Sequence, residues 1–184
     1  MAKVKRPRPA SGGHRHLFGG ALFCLFLAVA TGRLFIWPIR GKPANADAVI
    51  MFNGSGDRLA TAVALARSHV APNLVVSRGA AYWGEGDRCA PHIPGVRVIC
   101  FDPAPSTTRG EAEFAGRLAS KEHWRSIVLV TSRSQDTRAR LRMARCFHGR
   151  ISVVTARLPV RQWPFAIVYE WGATLKAAFV DTAC

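Results

Sequence analysis

The chain has 184 residues, enough for one domain with a hydrophobic core and a short appendage. Its 26 Lys and Arg outnumber 11 Asp and Glu, giving a net charge of +15 and a pI of about 11.1. That balance by itself suggests nucleic acid or an anionic surface as a partner. Eight of the basic residues precede Asp47, and the rest of the chain carries 18 positive against 11 negative charges. No aromatic-studded binding motif accompanies this excess, so we expect no nucleic-acid partner.

The amino-terminal segment has the composition of a membrane anchor. Residues 1–16 are basic and rich in Pro, Gly and Ser, which predicts a disordered tail. Residues 17–39 are apolar except for Thr31 and Arg33, and their length is sufficient to cross a bilayer. Arg33 lies near enough to the end of this segment to snorkel, and Trp37 suits the interface. A buried core helix is the weaker alternative, because a basic, polar tail is not expected in front of a core element.

The distribution of charge predicts the orientation of the anchor. By the positive-inside rule, the basic tail lies in the cytoplasm and everything after Arg40 lies outside. The predicted order is a cytoplasmic tail, a transmembrane helix in the lipid bilayer, a linker and an extracytoplasmic domain, at residues 1–16, 17–39, 40–46 and 47–184. A cleaved signal peptide is the rival interpretation, because Ala28-Val29-Ala30 fits the small-residue cleavage pattern. The apolar residues that continue past this site favour a retained anchor.

Cysteine usage agrees with export. Four cysteines fall in the predicted outer domain, and their spacing matches no zinc pattern, so we expect no metal site. Two disulfides are expected in an oxidising compartment. Of three connectivities we favour Cys89–Cys100, because Cys89 precedes the strand that holds Cys100, and Cys146–Cys184, because each of these ends a predicted helix. Four buried thiols are the alternative.

Strands alternate with helices in the outer domain. Short, unbroken apolar runs predict five buried strands at Ala48–Phe52, Leu74–Ser77, Val96–Phe101, Ile127–Val130 and Ile151–Thr155. The last helix starts near Pro164, and its predicted inward stripe is Val168, Trp171, Leu175 and Ala178. This alternation predicts a doubly wound parallel sheet, and right-handed crossovers give the strand order 3-2-1-4-5.

In that order the first and fourth strands are neighbours, and the loops that follow them flank one crevice where ligands bind. The first loop places Gly54-Ser55-Gly56 ahead of a helix N-terminus, whose backbone N–H groups and dipole form an anion site. A tight turn without a ligand is the alternative, because the third glycine of the dinucleotide fingerprint is missing. The other loop, residues 131–136, carries hydroxyls, an amide, a carboxylate and an arginine. Ser132 and Asp136 also fit simple helix capping.

Two further segments approach the crevice from the side. They are Arg78–Gly79, after the second strand, and Ser106–Glu111, ahead of a helix. Thr108 and Glu111 are predicted to form a capping box, in which each side chain accepts a hydrogen bond from the other's backbone N–H group.

Five segments taken in order carry a family resemblance: DAVIMFNGSGDRLATAVALA, LVVSRG, STTRGEAEFAGRLA, VLVTSRSQDTRARL and YEWGATLKA. Together they resemble the YdcF/SanA/ElyC-like family, the domain of unknown function 218. The resemblance covers Asp47 to about Phe179, and the ordered series is far more specific than any single segment. It implies a Rossmann-like three-layer α/β sandwich, often tethered by an N-terminal membrane helix. Some members are linked to bacterial envelope or peptidoglycan biogenesis, which implies a place in the plasma membrane.

The resemblance also implies site residues. The family's glycine loop falls on Asn53–Gly56, its threonine-plus-acidic motif on Thr108–Glu111, and its Thr-Ser-x-x-His-x-x-Arg motif on Thr131–Arg138. The ligand-binding residues predicted from these motifs and from the crevice are Asn53, Gly54, Ser55, Gly56, Arg78, Gly79, Thr108, Glu111, Thr131, Ser132 and Arg138.

This chain departs from the family pattern at Gly110, where an acidic residue is common, and, with more consequence, at Gln135. Gln135 stands where the family has its histidine, so general-base chemistry would fall to Asp57, Asp136 or Glu111. The departure argues against a Ser–His–Asp hydrolase. The catalytic candidates are Asp57, Ser132, Gln135 and Asp136.

Three functions stay open on these grounds. The first is a membrane-tethered enzyme acting on a phosphate-bearing or glycan precursor, with Arg78, Arg109 and Arg138 supplying charge. The second is a binding protein that keeps the pocket for a small anionic ligand without turnover. The third is a non-catalytic basic domain that adheres to anionic lipid or wall polymer. No cofactor is expected in any of them.

Overall fold

A computed structural model describes residues 13–38, 45–78, 89 and 92–184. The strands are β1 (Ala48–Met51), β2 (Asn73–Ser77), β3 (Arg97–Phe101), β4 (Ser126–Ser132) and β5 (Arg150–Ala156). The helices are α1 (Gly13–Thr31), α2 (Arg58–Arg67), α3 (Thr108–Lys121), α4 (Asp136–Cys146) and α5 (Trp163–Leu175). Short π-helical segments, Gly32–Ile36 and Lys176–Val180, extend α1 and α5, and a 3-10 turn at Val160–Gln162 precedes α5.

The five strands form one parallel sheet in the order β3-β2-β1-β4-β5, which confirms the predicted topology. In the centre of the sheet, Ile50 on β1 pairs with Val75 on β2 and Leu129 on β4, and all three are fully buried. A strand that is covered on both faces needs apolar side chains throughout, and this requirement made the runs recognisable in the sequence.

Helices cover both faces of the sheet. One face packs against Ala62 and Ala66 of α2, and the other packs against Ala115 of α3 and Ala139 and Met143 of α4. Because the winding reverses between β1 and β4, the loops after these strands diverge to opposite faces. The crevice between them lies at the carboxyl edge of the sheet.

Within the described residues, the amino-terminal helix contacts the domain at its carboxyl end. The segment Phe18–Ile36 is long and apolar enough to cross a membrane, and almost none of it is covered by the rest of the protein. Its carboxyl end is fixed, because Phe35 is fully buried and the Thr137 hydroxyl donates to the carbonyl of Leu34. Trp171 of α5 donates its indole N–H to the Thr31 hydroxyl at 3.0 Å and meets the Phe35 ring edge-on at 5.4 Å. The helix therefore leaves the domain beside the start of α4 and the middle of α5.

The inward stripe predicted for the last helix is wrong at Val168 and Leu175, whereas Trp171 and Ala178 are half-buried. Val168 is 75% exposed and Leu175 is 48% exposed, whereas the buried residues of α5 and its extension are Glu170 and Ala177. Glu170 faces inward because its carboxylate pairs with Arg138 of α4. A buried ion pair thus orients this helix, and the more apolar face points away from the domain.

Both predicted disulfides are present, Cys89–Cys100 and Cys146–Cys184. The first ties the segment before β3 to the carboxyl end of that strand. The second ties the end of the chain to the end of α4, so α5 is held to α4 at its carboxyl end as well as through Glu170. Cys24, in the apolar helix, is unpaired in the described part of the chain.

We expect the two disulfides to contribute unequally to stability. Loop-closure entropy gives about 4 kcal/mol for the 38-residue separation of Cys146–Cys184 and about 3 kcal/mol for the 11-residue separation of Cys89–Cys100. Replacing each pair by serines should lower the free energy of unfolding in that order, as measured by denaturant titration in detergent micelles. Cys24→Ser is the control and should leave the unfolding curve unchanged; a comparable loss there would contradict the assignment.

Candidate functional site

Arg58, the first residue of α2, is the centre of the loop that follows β1. Its side chain is almost fully buried, and its guanidinium donates to the carbonyl oxygens of Phe52 and Asn53 and, at 3.0 Å, to that of Ser55. A fourth donation, at 3.1 Å, reaches the Ser132 hydroxyl at the end of β4. Burial lowers the pKa of Arg58 to about 10, against the charges of Glu111 and Glu170, so the group remains a cation at neutral pH. One buried cation therefore joins the β1 loop to β4.

The glycine loop is shaped by this cation. Gly54 has φ +137°, and a Cβ added there would lie 2.6 Å from Nη2 of Arg58, so a side chain is excluded both by conformation and by space. The loop turns carbonyl groups toward the guanidinium. Anion binding by its N–H groups stays a prediction, whereas the tight-turn role of the loop is visible in its packing.

Glu111 is the second buried charge of the crevice. Its carboxylate accepts a hydrogen bond from the backbone N–H of Asn53, which follows β1. Burial raises the pKa of Glu111 to about 7; the nearby Ser77 hydroxyl, the Asn53 N–H and the charges of Arg58 and Arg138 offset only part of this effect. The carboxyl group therefore titrates near neutral pH.

The predicted capping box is wrong at both of its residues. The N-cap of α3 is Thr107, whose hydroxyl accepts from the N–H of Gly110, and Thr108 is already helical. Glu111 reaches across to Asn53 rather than back to its own helix. The Thr108 and Glu111 side chains therefore bond to residues of the crevice instead of capping α3.

A second network lies beside the first and is built on Arg138. The guanidinium binds the Glu170 carboxylate through two nitrogens, each at 2.8 Å, and its third nitrogen donates to the Thr108 hydroxyl. Gln135 donates to the same hydroxyl at 3.0 Å. Burial would lower the pKa of Arg138, but the bonds and charge of Glu170 outweigh it and hold that pKa above its usual value. Binding of an external anion by Arg138 stays a prediction.

The remaining predicted residues are not all brought together. Ser132 does not cap α4, because it accepts from Arg58, and Asp136 is buried on the first turn of α4, where it pairs with Arg140. Thr131 is fully buried within β4, and Asp57 is exposed at the start of α2. Arg78 pairs with Asp102 near the end of β3, and Gly79 lies outside the described residues.

Among the described residues, two openings flank this crevice. The smaller lies between the ends of β1 and β2 and is lined by predicted residues, among them Asn53, Gly54, Gly56 and Arg78. The larger has a volume of about 210 Å³ and lies between the ends of β4 and β5 and the start of α5. Arg133, Thr155, Ala156, Arg157, Leu158 and Trp163 line it. No carboxylate is among these lining residues, so the larger cleft presents two arginines and an indole ring to solvent.

Several residues of the site were missed by the sequence analysis, among them Arg58, Glu170, Arg157 and Trp163. Arg58 lies close after the glycine loop, at the first position of a helix that packs on the sheet. Its place there could have been used to predict that it belongs to the site. Glu170 is the one acidic residue of the last helix, which is a similar signal. For Arg157 the sequence offers only its place after a strand, at the ligand-binding edge.

No protein-family model, curated protein or solved structure matches the chain. Within the described ranges no group of three or more His, Cys, Asp and Glu side chains is arranged to hold a metal ion. Assignment of a function therefore depends on the geometry of the crevice itself.

The pKa of Glu111 predicts a pH dependence of stability. Its folded value, about 7, lies above the unfolded value of 4.5, so its stabilising contribution is complete below pH 4.5 and is lost as the pH rises through 7. Between these values the free energy of unfolding should fall by roughly 1 kcal/mol per pH unit from this group. Glu111→Gln keeps an acceptor for Asn53 but cannot ionise, and should flatten the profile in denaturant titrations from pH 4 to 8. If the free energy of unfolding of the Glu111→Gln variant fell with pH as steeply as that of the unchanged protein, the raised pKa of Glu111 would be refuted.

The buried pair of Arg138 and Glu170 should be costly to break on one side. Arg138→Ala or Glu170→Ala alone should lower the free energy of unfolding by about 3–5 kcal/mol, because each leaves an uncompensated buried charge. The double replacement Arg138→Met with Glu170→Leu should cost much less than either single change. The exposed pair Arg97–Glu122 is the matched control, and Arg97→Ala should cost less than about 1 kcal/mol. Equal losses for Arg138→Ala and Arg97→Ala would refute the structural role of the buried pair.

Proposed function

We propose that this protein is a membrane-anchored, extracytoplasmic α/β protein of the bacterial envelope that binds a small anionic ligand at the carboxyl edge of its sheet. The observation that carries the proposal is the larger cleft, which is lined by Arg133 and Arg157 without a carboxylate among the other lining residues. Arginine pairs suit phosphate, because the planar guanidinium donates two parallel hydrogen bonds. Trp163 adds a flat apolar surface that fits a sugar ring or an acyl group. A phosphate-bearing or glycan precursor has both features.

Two independent features support the proposed location, in which a membrane helix anchors a domain outside the cytoplasm. The apolar helix near the amino terminus has the length and composition of a membrane span, and the two disulfides suit an oxidising compartment. The basic residues before the helix favour a cytoplasmic amino terminus. Membership of the YdcF-like family belongs to the same proposal; it is supported by the motif series and by a sheet order that brings those motifs to one edge.

The proposal is that the cleft binds an anionic ligand. A chemical reaction on that ligand would also need a general base. Glu111, the buried carboxyl with a pKa of about 7, would suit a general base, because an efficient base titrates near the working pH, but it is not among the residues that line the larger cleft. Gln135 is already a donor to Thr108 and cannot accept a proton as a histidine would.

Anion binding in the cleft is tested with the full chain in detergent micelles. Inorganic phosphate, a sugar phosphate and the same sugar without phosphate are titrated by calorimetry. We expect the two phosphates to bind, and Arg133→Ala or Arg157→Ala to weaken binding by roughly tenfold to a hundredfold, since a charge-assisted hydrogen bond is worth about 1.5–3 kcal/mol. Both residues are at the surface of the cleft, so the melting temperature should change little.

Arg67, exposed at the end of α2, is the matched control. Arg67→Ala removes the same charge far from the cleft and should leave phosphate affinity intact. If all three variants lost affinity equally, only net charge would matter, and the alternative function, adhesion of a basic domain to anionic lipid or wall polymer, would be favoured. Binding that is unchanged in both cleft variants would end the proposal.

A further inference from the structure

The exposed apolar residues of this protein are concentrated in two segments. Within the described ranges, every large hydrophobic side chain that is exposed lies either in residues 18–37, the apolar helix and its end, or in residues 160–180, at and after the start of α5. The second set is Val160, Phe165, Val168, Tyr169, Leu175, Phe179 and Val180, exposed by 48–84%. Soluble domains rarely expose a contiguous apolar patch of this kind without a partner for it.

The second set forms one continuous helix face. Phe165, Val168, Tyr169, Leu175 and Phe179 recur at helical spacing, with Gly172 and Lys176 completing the stripe. The opposite face holds the buried carboxylate of Glu170, and Asp181 beyond it pairs with Arg109 and Arg142. The helix is therefore amphipathic, but its orientation is the reverse of the usual one: the charged Glu170 faces the domain and the apolar face is exposed.

The helix that carries this outer face is attached to the anchor. Trp171 of α5 contacts both Thr31 and Phe35 at the carboxyl end of the apolar helix. Trp37 and Tyr169, both exposed, lie two residues from Phe35 and Trp171 in the chain. Aromatic side chains of this kind prefer the headgroup level of a bilayer. Lys176, the charge on the stripe, has a stem long enough to snorkel to the same level.

We infer that the outer face of α5 and its π-helical extension, residues 163–180, lies in the interface of the bilayer from which the anchor emerges. This is a second membrane contact, of the kind made by amphipathic helices that lie on a membrane without crossing it. The inference rests on the proposed placement of the anchor in a membrane. It commits to lipid as the occupant because the helix that carries this face is attached to the end of the anchor. A second copy of the chain is the competing occupant.

The membrane contact is tested by spin labels on the full chain in vesicles of phosphatidylethanolamine and phosphatidylglycerol. In a Cys24→Ser background, single labels are attached at Val168→Cys or Phe165→Cys on the face, at Leu22→Cys in the anchor and at Arg67→Cys on a far surface. Collision rates with oxygen, which concentrates in lipid, are compared with those of a water-soluble nickel chelate. We expect the ratio at positions 165 and 168 to resemble that at Leu22 and to exceed that at Arg67 several-fold.

The outcomes separate the inference from the proposed function. If the Val168 label behaves like the Arg67 label while the Leu22 label reports lipid, the anchor stands and the second contact is overturned. If the Val168 and Phe165 labels are shielded from both reagents, a second copy of the chain covers the face, and the inference is again overturned. If the Leu22 label reports water, the anchor in the proposed function fails, whatever the labels on α5 report.

Discussion

The carboxyl edge of this sheet depends on two buried arginines, and the rest of the crevice is arranged to satisfy them. Arg58 takes the carbonyl groups of the β1 loop and the hydroxyl of Ser132, and Arg138 takes the Glu170 carboxylate. A buried charge is tolerated only when it is paired and hydrogen-bonded. The loop after β1, the end of β4 and the whole of α5 are therefore held in place by polar contacts. The apolar core fixes the layers of the sandwich, and the arginines fix the edge.

The fold was predictable because its determinants are local. Each central strand is a short apolar run such as Ala48–Met51, and alternation with helices then leaves few topologies. The site was predictable only as a set of loops at one edge. Its pairings are long-range: Arg138 and Glu170 are 32 positions apart, and Asn53 and Glu111 are 58 apart. The Thr108–Glu111 prediction failed for a related reason, because Thr107 offered an equally good cap one residue earlier and the tertiary partner of Glu111 was invisible in the sequence.

The last helix shows a different limit of sequence patterns. Helical spacing identified an apolar stripe at Val168 and Leu175, but periodicity does not say which way a stripe faces. In a soluble domain the apolar side turns inward, and that assumption decided the prediction. Here Glu170 turns inward instead, because Arg138 offers a buried charge that must be neutralised. The one carboxylate of the helix was more informative about its orientation than its many apolar residues.

One helix consequently serves two surfaces of the molecule. The inner side of α5 supplies Glu170 to the network that includes Thr108 and Gln135, and its first residue, Trp163, lines the larger cleft. Its outer side carries the exposed apolar face. Trp163 thus joins the cleft with Arg133 and Arg157 to the helix that carries this apolar face. Because the pairing of Glu170 with Arg138 sets the rotation of α5, that ion pair positions Trp163 on one side of the helix and the apolar face on the other.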